Sequence, residues 1–210
     1  KEDWSAYRQP VPLAGIEAPL RARIEDGELL IYSKTNRLST VHRRARMDYI
    51  GIRRLGPDGR VIGEARMLGL FTSKAYMEPA GRTPLLARKL ERILETEDLI
   101  EGSHDYKAVV SIFESFPKDE LFSSSTEVLR ERVMGLLASE DQAHLRVFVH
   151  ADIPTRSVSV LIAMPRDRFT TDVRRRLQSA LLERYGGESV DSYLTLGDAP
   201  MARIHFTVHV

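Results

Sequence analysis

The chain contains no cysteine. That removes disulfides and thiolate metal sites, and it fits a reducing, cytoplasmic setting. No apolar run approaches the roughly 18 residues that a membrane-spanning helix needs, so a membrane span is excluded. The first ten residues, KEDWSAYRQP, have neither the basic start nor the apolar core of a secretory signal. A phosphate-binding P-loop, the dinucleotide fingerprint G-x-G-x-x-G and the nucleophile elbow G-x-S-x-G are all missing. Charge imbalance is missing too. The net charge is +1, which gives no global pull toward nucleic acid or anionic lipid. Lysine is scarce, at 6 of 31 basic residues. The arginines are scattered and offset by 30 acids, which points to codon usage rather than to anion recognition.

What is present is an ordinary soluble composition, with 42% hydrophobic and 29% charged residues. A length of 210 residues holds one large domain or two small ones. Residues 1–26, with Pro10, Pro12, Gly15 and Pro19, read as an irregular lead-in. Leu29 to Lys34 and Ser39 to Arg43 read as extended segments. Met47 to Leu55 and Val61 to Thr72 flank Gly56-Pro57-Asp58-Gly59, a hairpin signature. Gly63 and Gly69 suggest a bulge or a close backbone approach.

Helical periodicity follows. Thr83-Pro84 opens a helix with Leu86, Leu90, Ile93 and Leu94 on one face. A second helix covers Asp105 to Phe116, with Tyr106, Val109, Val110 and Phe113 as its stripe, and Pro117 stops it. Ser124 to Glu127 matches a capping box and starts a helix with Leu129, Val133, Leu136 and Leu137 on one side. Leu145, Val147 and Val149 alternate with polar residues, as in a strand with one buried face. After a turn at Asp152 to Arg156 comes a strand over Ser157 to Met164. A helix capped by Thr170 or Thr171 then runs to Tyr185, with Val173, Leu177, Ala180 and Leu181 facing the core. Gly186-Gly187 closes it, and Ser189 to Leu196 and Met201 to Val210 form two last strands. The order α-β-β-α-β-β is that of a ferredoxin-like split βαβ unit with an added strand.

Candidate chemistry is sparse. His205 and His209 share one strand face but lie roughly 13 Å apart, too far for one metal ion. They read as surface or strand-edge residues. His144 and His150 sit at opposite ends of another strand, and His42 is surrounded by arginines. Asp105 beside His104 is an ordinary helix-start acid, and Glu95, Glu97 and Asp98 form a solvated helix end. A base-stacking RNA surface would need exposed aromatics, and LRVFVHA offers only Phe148. Two basic clusters remain, TVHRRAR with Arg43 and Arg44, and PRDRF with Arg166 and Arg168. These four arginines are the candidates for an anionic effector or for contacts with a neighbouring domain. Lys1 in place of a start methionine, and Val210 inside the alternating run MARIHFTVHV, together suggest a segment of a longer protein.

The strings TVHRRARMDYIGI, LGLFTSKAY, TPLLARKL, SIFESFPKDELF, RVFVHADIPTRSVSVLIAMPRDRFTTDVR and ARIHFTV carry a family likeness. In order, from about residue 27 onward, the chain resembles the amino-terminal half of large bacterial NAD-specific glutamate dehydrogenases. The resemblance implies an α+β fold. An antiparallel sheet with flanking helices (PAS-like, residues 27–122) precedes a ferredoxin-like ACT-type module (residues 123–210). It implies a cytoplasmic parent enzyme that oxidatively deaminates L-glutamate with NAD, while this segment is regulatory or scaffolding and carries no catalytic residue, cofactor or metal. Implied partners are other domains of the same chain and an amino-acid effector, within a homo-oligomeric parent. Neither nucleic acid nor membrane is a partner. The alternative is a free-standing ACT/PAS-type amino-acid sensor.

Overall fold

The computed structural model describes residues 12, 15–18, 21, 22, 25, 29–41, 43–139, 144–152, 157–196 and 200–210. Most of the lead-in, His42 and the turn at 153–156 lie outside the described residues. The chain divides into two compact units, Lys1–Leu70 and Phe71–Val210.

The first unit holds a three-stranded antiparallel sheet, β1 (Leu30–Leu38), β2 (Arg46–Leu55) and β3 (Val61–Gly69), in that order. One strand replaces the two extended segments expected before residue 43. It continues to Leu38, and Ser39 then closes the return through its amide to Ala45 O at 2.8 Å. The β2–β3 hairpin turns at Gly59, whose φ of 77° suits a residue without a Cβ. The register shifts between Arg54 and Leu55, opposite Gly63, which is the bulge that glycine signalled. Cross-strand polar groups pin the pairing. Tyr32 Oη donates to Asp48 Oδ1 at 2.9 Å, and Lys34 Nζ lies 2.5 Å from the same oxygen. Tyr49 Oη donates to Glu64, whose carboxylate occupies the space that Gly51 leaves by lacking a side chain. Burial, and then the Glu64 carboxylate, push the Tyr49 phenol well above its ordinary pKa.

The second unit begins with helices α1 (Ser73–Met77), α2 (Pro84–Thr96), α3 (His104–Glu114), α4 (Lys118–Ser123) and α5 (Thr126–Leu137). A four-stranded antiparallel sheet follows, built from β4 (Arg146–Asp152), β5 (Ser157–Pro165), β6 (Ser189–Thr195) and β7 (Met201–His209) in the order β4-β5-β7-β6. Helix α6 (Thr171–Tyr185) connects β5 to β6. Because β7 inserts between them, β5-α6-β6 is the expected split βαβ unit.

Each sheet face has its own apolar layer. Leu161, Ala163 and Met201 join a core with Leu86, Leu90, Ile93, Val109, Ile112, Phe113, Leu129 and Val133 from the helices. Val158, Val160, Ile162, Ile204, Phe206 and Val208 point the other way, toward Leu177, Leu181 and Tyr185 of α6. The helices expected to flank the first sheet therefore share a core with the second, and the compact units part at Leu70/Phe71 rather than near residue 122.

Three local expectations change. The helix after Ser124 is capped by Ser125, whose Oγ accepts from Val128 N at 3.3 Å, because Ser124 ends α4 instead. Leu145, Val147 and Val149 are exposed at 62%, 52% and 53%. They lie on an edge strand, and α6 packs chiefly over β6 and β7. For the same reason α6 has no fully buried residue, and Ala180 is exposed.

Candidate functional site

The densest polar arrangement in the second unit is buried between its helical layer and its sheet. Pro117 starts α4, and this short helix directs Glu120 inward. Arg132 of α5 donates through Nη1 to Glu120 Oε1 and to Ser159 Oγ, the latter at 3.1 Å. His205 Nδ1 of β7 lies 2.6 Å from Glu120 Oε2. Arg132 and His205 are buried, as is Glu120. Burial alone would raise the Glu120 carboxyl, but His205 and then Arg132 outweigh it and hold it below the ordinary carboxylate range. His205 Nε2 has no hydrogen-bond partner, and the Phe116 ring stands edge-on to the imidazole at 4.9 Å. Beside it, Arg203 Nη1 donates to Ser115 Oγ and Thr195 Oγ1 to Ser115 O, both at 3.1 Å.

A second buried cation sits in the helical layer. Lys89 Nζ donates to the carbonyls of Leu121, Phe122 and Ser124 at 2.9, 3.0 and 2.8 Å. Those carbonyls close α4, so an ammonium group from α2 serves as its C-terminal cap. Glu114 does the complementary work, accepting from the amides of Ala80 and Gly81 at 2.8 and 2.9 Å. These groups satisfy one another and fix helix positions. Among the described residues, no group of three His, Cys, Asp or Glu could hold a metal ion.

The arginine candidates fall in different units. Arg43 and Arg44 are exposed between β1 and β2. Arg166 and Arg168 are exposed on the turn after β5, where Arg166 N donates to Pro200 O at 2.9 Å. Neither histidine on β7 is a surface group. His205 is buried against Glu120, and His209 pairs with Asp191 at 2.8 Å. Sequence periodicity missed Glu120, Arg132 and Lys89, since a charged residue on an apolar face looks like an interruption. The only hint was their helical spacing within the stripes, as with Lys89 between Leu86 and Leu90.

The β5-to-α6 connection does not fit a dinucleotide. It runs PRDRFT without glycine, and Thr170 Oγ1 already accepts from Val173 N at 3.1 Å at the helix start. No helix among the described residues is long and apolar enough to cross a membrane.

A β-β-α-β-β antiparallel sheet with a helical layer on its second face defines an ACT-type α+β module with an appended helical motif. Residues 83–142 match the family model of glutamate dehydrogenase helical motif 1, and residues 146–210 match that of the glutamate dehydrogenase ACT2 domain. The chain belongs to this glutamate dehydrogenase family. It is 34% identical over 179 residues to the NAD-specific glutamate dehydrogenase of Halomonas elongata, covering 85% of this chain and 11% of that protein. The proteins of the same name from Pseudomonas aeruginosa and Mycobacterium tuberculosis are 30% and 27% identical, each over 90% of this chain and 12% of the relative. The chain thus spans about one-eighth or less of the curated relatives it matches.

Proposed function

We propose that this chain is a non-catalytic scaffolding and regulatory segment of a cytoplasmic NAD-dependent glutamate dehydrogenase. The parent reaction converts L-glutamate, NAD and water to 2-oxoglutarate, ammonia and NADH on residues outside this segment. The observation that supports this most directly is the Glu120–Arg132–His205 joint, which ties the helical motif and the ACT-type sheet into one body. Its ionisable groups are spent on each other inside the module, not gathered around a cleft. The first unit's sheet is taken as the core of a PAS-like module. Arg43, Arg44, Arg166 and Arg168 are taken as contacts to other domains of the same chain or to an amino-acid effector, within a homo-oligomeric parent.

Two measurements test the proposal. The 210-residue chain supplied with glutamate and NAD is expected to produce no NADH, and clear turnover refutes the non-catalytic role. Calorimetry against a panel of amino acids separates the two mechanisms. Heat release that Arg166→Ala abolishes assigns the segment to effector binding, and silence at millimolar ligand assigns it to packing alone.

A further inference from the structure

The two faces of strand β4 differ in how they are covered. Toward the helical layer, Phe148 packs against the first core, and its ring fills the space that Gly135 of α5 leaves by lacking a side chain. Toward α6, Val147, Val149 and Ala151 are exposed, although their cross-strand partners on β5, Ile162, Val160 and Val158, are buried. The placement of α6 is the cause. Gln178 Nε2 donates to Ser192 Oγ on β6 at 3.2 Å, which holds one flank of the helix over that rim. Val173, Arg176, Leu177 and Ala180 recur at three- and four-residue spacing on the flank turned away from β6 and line an apolar groove. An apolar strip thus lies between α6 and the β4 rim, and such a face is stable only when another element is packed on it.

The dimensions of this strip match one helix. Two strands at a spacing of about 4.8 Å are about 10 Å wide, the diameter of a helix with its side chains. The seven residues of β4 rise about 23 Å, which an α-helix covers in about 15 residues. A further strand at the rim would extend the sheet and leave the strip bare. The direction of the chain shows where such a helix comes from. Strand β7 ends opposite Ser157, and Glu188 N donates to His209 O at 2.8 Å just past the end of α6. The exit of β7 therefore lies at the carboxyl-terminal end of α6. A polypeptide that turns back there over β5 runs antiparallel to α6 after a short connection. We infer that the stretch of the parent polypeptide following β7 forms an amphipathic helix, which docks beside α6 and covers Val147, Val149 and the groove at Val173, Leu177 and Ala180. This rests on the reading of the chain as a segment of a longer dehydrogenase, of whose relatives it covers 11% or 12%. The stretch next in sequence is favoured over a distant domain or a second copy because a short tether holds it at an effective concentration of about millimolar.

Because the chain has no cysteine, Val149→Cys places a single thiol in the strip. Its alkylation, read by mass spectrometry of the peptide that carries it, is compared between the 210-residue chain and the full-length parent. The thiol is expected to react freely in the former and at least about tenfold more slowly in the latter, at every protein concentration. Val147→Cys repeats the comparison if Val149→Cys does not fold. Photoreactive p-benzoylphenylalanine in place of Ala180, in the full-length parent, is expected to cross-link within about 30 residues after Val210, in a product of monomer mass. Equal thiol reactivity in the two proteins overturns the inference. So does a cross-link to a distant part of the chain, a product of doubled mass, or no cross-link. A reading frame that stops soon after Val210 overturns the inference together with the dehydrogenase reading. A long frame with an unprotected thiol overturns the inference alone.

Discussion

Glu120 is where residue-scale energetics concentrate. Two partners, Arg132 and His205, reach it from separate elements, and all three groups have given up water. A buried pair adds little over an apolar replacement, but removing one member strands the rest, at about 3 kcal/mol. Glu120→Gln is therefore expected to lower unfolding free energy in urea by about 3 kcal/mol. The pH dependence has a definite sign. A carboxyl whose folded value lies below its unfolded value of about 4.5 contributes fully above that pH, and the contribution is lost as pH falls toward the folded value. Stability measured from neutral into acid should fall less steeply in Glu120→Gln than in the parent chain. Lys89 makes a second prediction. Lys89→Met keeps the buried stem but leaves three carbonyls without a donor, so a loss of about 2 kcal/mol is expected, with faster amide exchange along α4.

At the scale of elements, the end of α6 offers a graded test. Gly186 has a φ of 62° with open space around it, so Gly186→Ala meets only backbone strain, about 1 kcal/mol. A Cβ on Gly187 would lie 2.5 Å from Val208 Cγ1 and 3.0 Å from His209 O. Thermal denaturation should rank Gly187→Ala as the more damaging change.

The same scale shows what the sequence made legible. Caps and glycines placed α2, α6 and the β2–β3 hairpin, because those signals are local. The apolar alternation of Leu145, Val147 and Val149 was equally plain, yet it marked exposed residues. Alternation reports that a strand has an apolar face, while burial depends on which elements cover that face. Short α4 escaped notice because its six residues carry no full period, and with it went Glu120. Its partner His205 was visible on the right face of its strand, but nothing in the sequence said that a carboxylate 85 positions away would meet it.

For the whole molecule, the division between Leu70 and Phe71 sets an expectation. Both apolar clusters of the second unit are drawn from residues 80 to 208. A polypeptide of residues 71–210 should therefore fold alone and melt in one cooperative transition, followed by circular dichroism. A broad, non-cooperative loss of signal would show that the first unit is required.

Strand β7 carries a further consequence for how the chain reaches this state. On one face it presents Arg203, His205 and His209, and on the other Ala202, Ile204, Phe206 and Val208. A slip of one residue in its pairing would drive three basic groups into the oily layer and strip Glu120 of a partner. Strand β7 pairs with both β5 and β6, so correct alignment there dictates alignment on both sides. The strand that joins last in sequence thereby acts as the proofreader of the sheet.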